Sequence, residues 1–254
     1  MQYNLDIFFA SYEKKVKMDK KTRLQSLYIF LIFVTITALG ALIGHFWVHP
    51  YPHLRVWNAE NIFWILLGLP FVFFQGKVNI PEFLAPHVSL RTRICKPLSL
   101  GLIFGVLDVF IIKMVLHPEP YSELPPFLQP FPYSLLLYFS GALEIEIFYR
   151  LIPITLTLLI VSQINHGKYL NQAFWVIALL SSLREPLEQL PGGETWFIGY
   201  SLLSGFGMNF IQALYFRQAG FLATLMLRLG HYLVWHILLG VYVQWIELGG
   251  QHYP

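Results

Sequence analysis

Long apolar runs separated by short polar segments dominate this sequence. The runs occupy about residues 27–47, 57–74, 98–116, 132–164, 170–183, 196–216 and 221–246. About 20 consecutive apolar residues cross the hydrocarbon core of a bilayer as a helix. The pattern therefore predicts an all-α fold, a polytopic membrane helix bundle with seven to eight transmembrane helices. The count depends on whether Pro153 divides the run at 132–164 into two spans.

Composition agrees with a membrane protein. Of the 254 residues, 56% are hydrophobic and only 12% are charged, whereas soluble domains have about 25% charged residues. The single cysteine, Cys95, excludes an intrachain disulfide and a cysteine-rich zinc site. His45, His49 and His53 are regularly spaced, but the prolines between them interrupt a helix. We therefore expect no metal and no cofactor.

Basic residues are concentrated before the first apolar run. Residues 1–26 contain six of the 17 basic side chains, Lys14, Lys15, Lys17, Lys20, Lys21 and Arg23. The positive-inside rule places such a segment in the cytoplasm. We expect a cytoplasmic basic segment over 1–26 and one transmembrane domain over 27–250. The protein would be a multi-pass integral membrane protein, in the cell inner membrane if it is prokaryotic, in contact with lipid. No basic patch with stacking aromatics is present, so nucleic acid is not an expected partner.

Three ionisable residues stand inside the run at 132–164. Charged side chains at membrane depth are costly and usually mark a functional site. Glu146 and Arg150 are four residues apart, so they share a helix face in the favoured order for an ion pair. Glu144 points about 200° away from Glu146 around a helix. It therefore needs a partner on another helix, and His231 is one candidate.

The last apolar run also carries polar residues on one face. Thr224, Arg228, His231 and Trp235 follow helical spacing, which predicts that Arg228 and His231 point into the bundle. Asp108, in the third run, should pair with another helix, and Arg228 is a candidate partner. The polar segment at 184–194, which contains two prolines, is typical of a solvated loop.

Residues 145–150, Ile-Glu-Ile-Phe-Tyr-Arg, resemble the first motif of the CAAX-protease and bacteriocin-processing family of intramembrane proteases. That motif is Glu-Glu-x-x-x-Arg, so Glu146 and Arg150 match and Ile145 stands in place of the first Glu. The family's third motif, His-x-x-x-Asn, aligns with His231 and Trp235. The resemblance covers about residues 130–245.

The second family motif, Phe-x-x-x-His, aligns with Glu185 and Gln189. In the family, the first Glu and the second-motif His are thought to activate water, and the third-motif His and Asn to stabilise the oxyanion. The resemblance implies hydrolysis of a peptide bond in a membrane-associated substrate. Glu144 lies about 100° from the missing Glu, and a π-bulge could bring it into the site. The candidate catalytic residues are therefore Glu144, Glu146, Arg150 and His231.

Three functions stay open at this point. The first is an intramembrane endopeptidase of the CAAX-protease type. The second is a catalytically inactive member of that family, acting as a scaffold or chaperone for a membrane-associated partner protein. The third is a small transporter or a pigment-binding subunit, with His231 or His236 as a ligand.

Overall fold

The computed structural model describes residues 20–48, 54–164 and 167–250. Helix makes up 78% of the structure, and the described residues contain no strand. Seven helices run through this part of the chain: α1 (Lys20–Phe46), α2 (Ala59–Val78), α3 (Arg91–Leu116), α4 (Tyr133–Ser162), α5 (Leu170–Glu188), α6 (Thr195–Ala219) and α7 (Phe221–Glu247). Lys14, Lys15, Lys17, His49 and His53 lie outside the described residues, as does most of the predicted basic segment.

Five of these helices are long and apolar enough to cross a membrane, namely α1, α2, α3, α4 and α7. The architecture is that of an integral membrane protein, with apolar helix faces open to lipid. The predicted count of seven to eight spans is not confirmed, because α5 and α6 are not among the five within the described residues. The run that contains Pro153 forms one continuous helix.

Helix α4 accommodates Pro153 without breaking. A π-helical turn covers Ile147–Leu151, and the next α-helical segment begins at Ile152 with the proline in its first turn. Inside a continuous helix a proline removes one backbone hydrogen bond and its ring crowds the preceding turn, and here that turn is the wide π-helical one. The helix therefore continues past the proline, while the wide turn falls beside Glu146 and Arg150.

Helices α3 and α7 cross at very short range because both carry glycine at the contact. A Cβ atom on Gly230 would lie 3.1 Å from the Leu102 backbone nitrogen, and one on Gly105 would lie 2.8 Å from the His231 carbonyl oxygen. Only glycine allows the two backbones to approach this closely. The crossing places Asp108 of α3 beside the polar face of α7.

Helix α5 extends further than the sequence pattern indicates. The prediction of a solvated loop at 184–194 is wrong for residues 184–188, since the helix runs through Pro186 to Glu188 and Glu185 is buried, whereas residues 189–194 do form a largely exposed connection. The Pro186 ring packs against α6, so closely that a Cβ on Gly205 would lie 3.1 Å from its Cγ atom. This packing and the ion pairs of Glu185 hold the extra turn in the bundle.

The connections at one end of the bundle are fixed to one another and to α7. The backbone N–H of Arg55, before α2, donates to the Gln129 side chain at 2.9 Å. The ring of Phe127 stacks on Trp235 of α7 with centroids 5.0 Å apart. These contacts define the end of the bundle at which the functional site opens.

Candidate functional site

A buried group of charged residues joins α4, α5 and α7. Arg228 donates to both oxygens of Glu185, at 2.6 Å each, and its Nε donates to Glu146 Oε1 at 3.0 Å. Arg150 Nη1 lies 3.7 Å from Glu146 Oε1 and 3.5 Å from Glu185 Oε2. Two guanidinium groups therefore face two carboxylates, and the group is formally neutral.

Amide side chains from α6 complete this buried network. Gln212 donates to Glu146 at 2.6 Å and accepts from Arg150 at 2.7 Å. Asn209 accepts from Arg228 at 3.1 Å. Both guanidinium groups and the Glu146 carboxylate thus have neutral partners as well as charged ones, and such added hydrogen bonds help a buried ion pair to offset its desolvation.

A second polar group lies one turn further along α7. His231 Nε2 is 2.7 Å from Asp108 Oδ2, and the Tyr200 hydroxyl donates to Asp108 Oδ1 at 2.6 Å. An ionised carboxylate only accepts hydrogen bonds, so an ionised Asp108 selects the His231 tautomer that carries its proton on Nε2. Its Nδ1 atom is buried and has no hydrogen-bond partner among the described residues. The ion pair that the sequence offered between Asp108 and Arg228 does not form.

A cavity of about 490 Å³ lies between the two polar groups. Glu185 and Arg228 of the first group line it, and so do Asp108 and His231 of the second. Aromatic and small polar side chains form much of the remaining lining, including Phe197, Tyr200, Ser201, Ser204, Tyr232 and His236. Arg55, Phe127 and Pro191, which lie in three connections between helices, also line it. The cavity therefore reaches one end of the bundle.

The residues aligned with the protease motifs fall into two places. Ile145, Gln189, His231 and Trp235 all line the cavity. Glu146 is fully buried behind it, within the ion-pair network. The cavity wall thus contains the four positions at which the sequence motifs have Glu, His, His and Asn.

Glu144 lies apart from these groups. It is partly buried and interacts with the Asn61 side chain of α2. Helix α4 does contain a π-helical turn, but it begins at Ile147, after Glu144, and does not bring Glu144 to His231. Of the four candidate catalytic residues, the fold brings Glu146 and Arg150 together, sets His231 beside Asp108, and leaves Glu144 facing α2.

Three polar residues of the site were missed or misassigned from the sequence. The sequence predicts Glu185 in a solvated loop, and no role is predicted for Gln212. Asp108 was correctly expected to find a partner on another helix, although the partner is His231. The available signal was the 3.6-residue period, which continues through Pro186 and puts Glu185 on the same face as the buried Ser181 and Ser182.

Comparison of the chain with protein-family models, with curated proteins and with solved structures gives no match. Within residues 20–48, 54–164 and 167–250, no group of three His, Cys, Asp or Glu side chains is arranged to hold a metal ion. The cavity and the side chains that line it are therefore the features from which function is inferred.

Proposed function

We propose that the protein is a membrane-embedded binding protein of CAAX-protease-like ancestry, which holds part of a membrane-associated partner in its cavity without cleaving it. This is the catalytically inactive alternative that the sequence left open. The observation that carries the proposal is that both carboxylates of the cavity are already held by internal partners. Glu185 is bound by Arg228, and Asp108 by His231 and Tyr200.

The substitutions at the motif positions support loss of hydrolysis. A general base must lie within hydrogen-bond reach of the water it deprotonates. Ile145 and Trp235 carry no group that accepts a proton, and Gln189 is an amide. Their convergence with His231 on one cavity supports a protease-like ancestry, while their chemistry favours binding over catalysis.

The Asp108–His231 pair keeps an intramembrane endopeptidase as the second candidate. A carboxylate on one ring nitrogen orients a histidine so that the other nitrogen can act as a base. In this protein the other nitrogen, Nδ1, is buried. Catalysis would therefore need a rearrangement that brings water to Nδ1. Binding needs no such rearrangement, so the geometry favours a binding function over hydrolysis.

The size and lining of the cavity fit a binding site. Pockets for small ligands commonly measure about 300–1,000 Å³ and combine apolar walls with a few polar groups. The cavity here has both kinds of wall, with rings such as Phe197 and hydroxyls such as Ser201. It lies inside a bundle whose outer surface contacts lipid, so a membrane-associated molecule or segment is the natural occupant.

We infer further that all seven helices cross the membrane, with the N-terminal end in the cytoplasm. In that arrangement the starts of α1, α3, α5 and α7 share one side. Lys20 and Lys21, Arg91, Lys168 and Arg217 lie at or beside helix ends on that side. The positive-inside rule assigns such a side to the cytoplasm. The cavity would then open on the opposite side of the membrane.

Site-directed photocrosslinking tests whether the cavity is occupied. p-Benzoylphenylalanine is introduced at Phe197, which lines the cavity, and separately at the neighbouring Trp196, which is 45% exposed on the helix surface. After irradiation of intact membranes, the adducts are identified by mass spectrometry. We expect a discrete adduct at Phe197 that is absent at Trp196. Identical adducts at both positions, of bulk lipid only, would contradict the proposal.

A further inference from the structure

The cavity has a cation at its open end that no carboxylate neutralises. Arg55 lines the cavity and is exposed. Within the part of the chain that the structure describes, Arg55 makes no ion pair. The other lining guanidinium, Arg228, binds Glu185 and Glu146. Of the two arginines that line the cavity, Arg228 is therefore neutralised by carboxylates, and Arg55 is available to bind an anion.

The Arg55 guanidinium is held in place by neutral groups. The Arg55 backbone N–H donates to Gln129 at 2.9 Å, and its Nη2 donates to the Tyr138 hydroxyl at 3.2 Å. That hydroxyl in turn donates to the Phe127 carbonyl at 2.7 Å. A guanidinium has five N–H donors in a planar fork that matches carboxylate and phosphate oxygens. Most of these donors remain available for a ligand.

The anionic residues of the cavity do not compete for Arg55. Asp108 binds His231 and Tyr200, and Glu185 binds Arg228 and Arg150. An anion that enters the open end therefore meets an orienting cation, while both carboxylates of the lining are already held by partners of their own. A neutral molecule would leave the Arg55 charge unmatched.

Apart from Arg55 and the charged residues that are already paired, the cavity walls favour an apolar body over a second charge. Phe197 and Trp235 contribute aromatic surface, and Ser201 contributes a hydroxyl. A single anionic head at Arg55 with an apolar tail matches this distribution of charge and apolar surface.

From these contacts we infer that the cavity takes an amphiphile with one anionic head, a carboxylate or a phosphate, which Arg55 binds at the open end. The inference rests on the proposed binding function and specifies its ligand. The head can belong to a free fatty acid or to a phosphorylated lipid, and the two sources are separated by the choice of probe.

The test is native mass spectrometry of the full chain in dodecyl maltoside, a neutral detergent. Three probes share a 16-carbon tail: palmitate, hexadecyl phosphate and methyl palmitate. We expect at least one acid to bind about tenfold more tightly than the ester, which is about 1.4 kcal/mol and close to the lower end of the range for one charge-assisted hydrogen bond. Whichever acid binds more tightly identifies the head.

Two variants assign the preference to the cavity. Arg55→Gln removes the cation and should abolish the preference for the acids. Arg184→Gln removes another exposed arginine, which pairs with Glu188 and does not line the cavity, and should keep the preference. A melting temperature of Arg55→Gln near that of the parent protein shows that the fold is intact.

Equal binding of acids and ester, no binding of any probe, or an unchanged preference in Arg55→Gln would overturn the inference. These results are distinguishable from failure of the proposed function. If Phe197 still gives its own photocrosslink, the cavity binds a partner that is not an anionic amphiphile. If the crosslink is also absent, the binding function itself fails.

Discussion

Arg228 and Glu185 form a two-pronged ion pair inside the bundle, with both N–O distances at 2.6 Å. Arg228 is 2% exposed and Glu185 is 5% exposed. The pair joins α7 to α5 at a turn that contains a proline, and Glu146 and Arg150 extend it to α4. These four charged residues therefore neutralise one another inside the bundle, and the stability of the folded protein depends on each of them keeping an oppositely charged partner.

Replacing Arg228 with methionine should strongly destabilise the protein. The change leaves Glu185 and Glu146 with one guanidinium between them, and breaking a buried pair in this way costs about 3–5 kcal/mol. The free energy of unfolding is measured by titration with sodium dodecyl sulfate in mixed micelles. Arg184→Met is the matched control, because its ion pair with Glu188 is exposed and should contribute less than about 1 kcal/mol. Equal losses in the two variants would contradict the account.

Asp108 and His231 should be energetically coupled. Their side chains are 2.7 Å apart, and residues in direct contact show coupling energies of about 0.5–3 kcal/mol. A double-mutant cycle with Asp108→Asn and His231→Gln, read by the same titration, measures the coupling. The cycle of Asp108→Asn with Arg228→Met should give a value near zero. A larger coupling for that second pair would show that Asp108 has the partner first expected from the sequence.

Adding a methyl group at the α3–α7 crossing should destabilise the bundle. The Cβ atom of Gly230→Ala would lie 3.1 Å from the Leu102 backbone nitrogen and would collide with the Leu98 carbonyl. Overpacking of this kind costs about 1–3 kcal/mol. Gly199→Ala in α6 has open space around the new atom and should be neutral or slightly stabilising. A loss in Gly199→Ala as large as that in Gly230→Ala would show that the crossing is not the cause.

Cysteine labelling decides whether α5 and α6 cross the membrane. Gly192 lies in the connection between them and is exposed. In a Cys95→Ala background on intact cells, we expect a membrane-impermeant maleimide to label Gly192→Cys and Glu123→Cys. Lys168→Cys, between α4 and α5, should react only after permeabilisation. If Gly192→Cys, like Lys168→Cys, is labelled only after permeabilisation, then α5 and α6 do not cross the membrane. The spans among the described residues are then the five apolar helices α1, α2, α3, α4 and α7.

Periodicity predicts the parts of this fold that depend on one helix at a time. The ion pair of Glu146 with Arg150, four residues apart, is present as predicted from spacing. The buried positions of Arg228 and His231 likewise match the prediction that one face of α7 points inward. Both results depend on the geometry of a single helix, which the sequence specifies well.

Contacts between helices were harder to predict. Asp108 meets His231 because glycines at positions 105 and 230 let α3 and α7 approach, and that register is set by three-dimensional packing. Glu185 was missed because the two prolines of the segment 184–194 indicate a loop, whereas the ring of Pro186 packs against α6 beside Gly205. In both cases the contact depends on where a second helix lies, and the spacing of residues along one helix does not predict that position.

Incorporation of oxygen from water tests most directly whether the protein binds without cleaving. Peptide hydrolysis places one oxygen atom of water in each new carboxyl group. Proteoliposomes that contain the protein are incubated with membrane-protein extract in ¹⁸O-water, and labelled C-termini are counted by mass spectrometry. The account predicts the same low count for the parent protein and for His231→Ala. Labelled C-termini that the parent protein produces and that His231→Ala loses would establish an intramembrane peptidase and contradict the account.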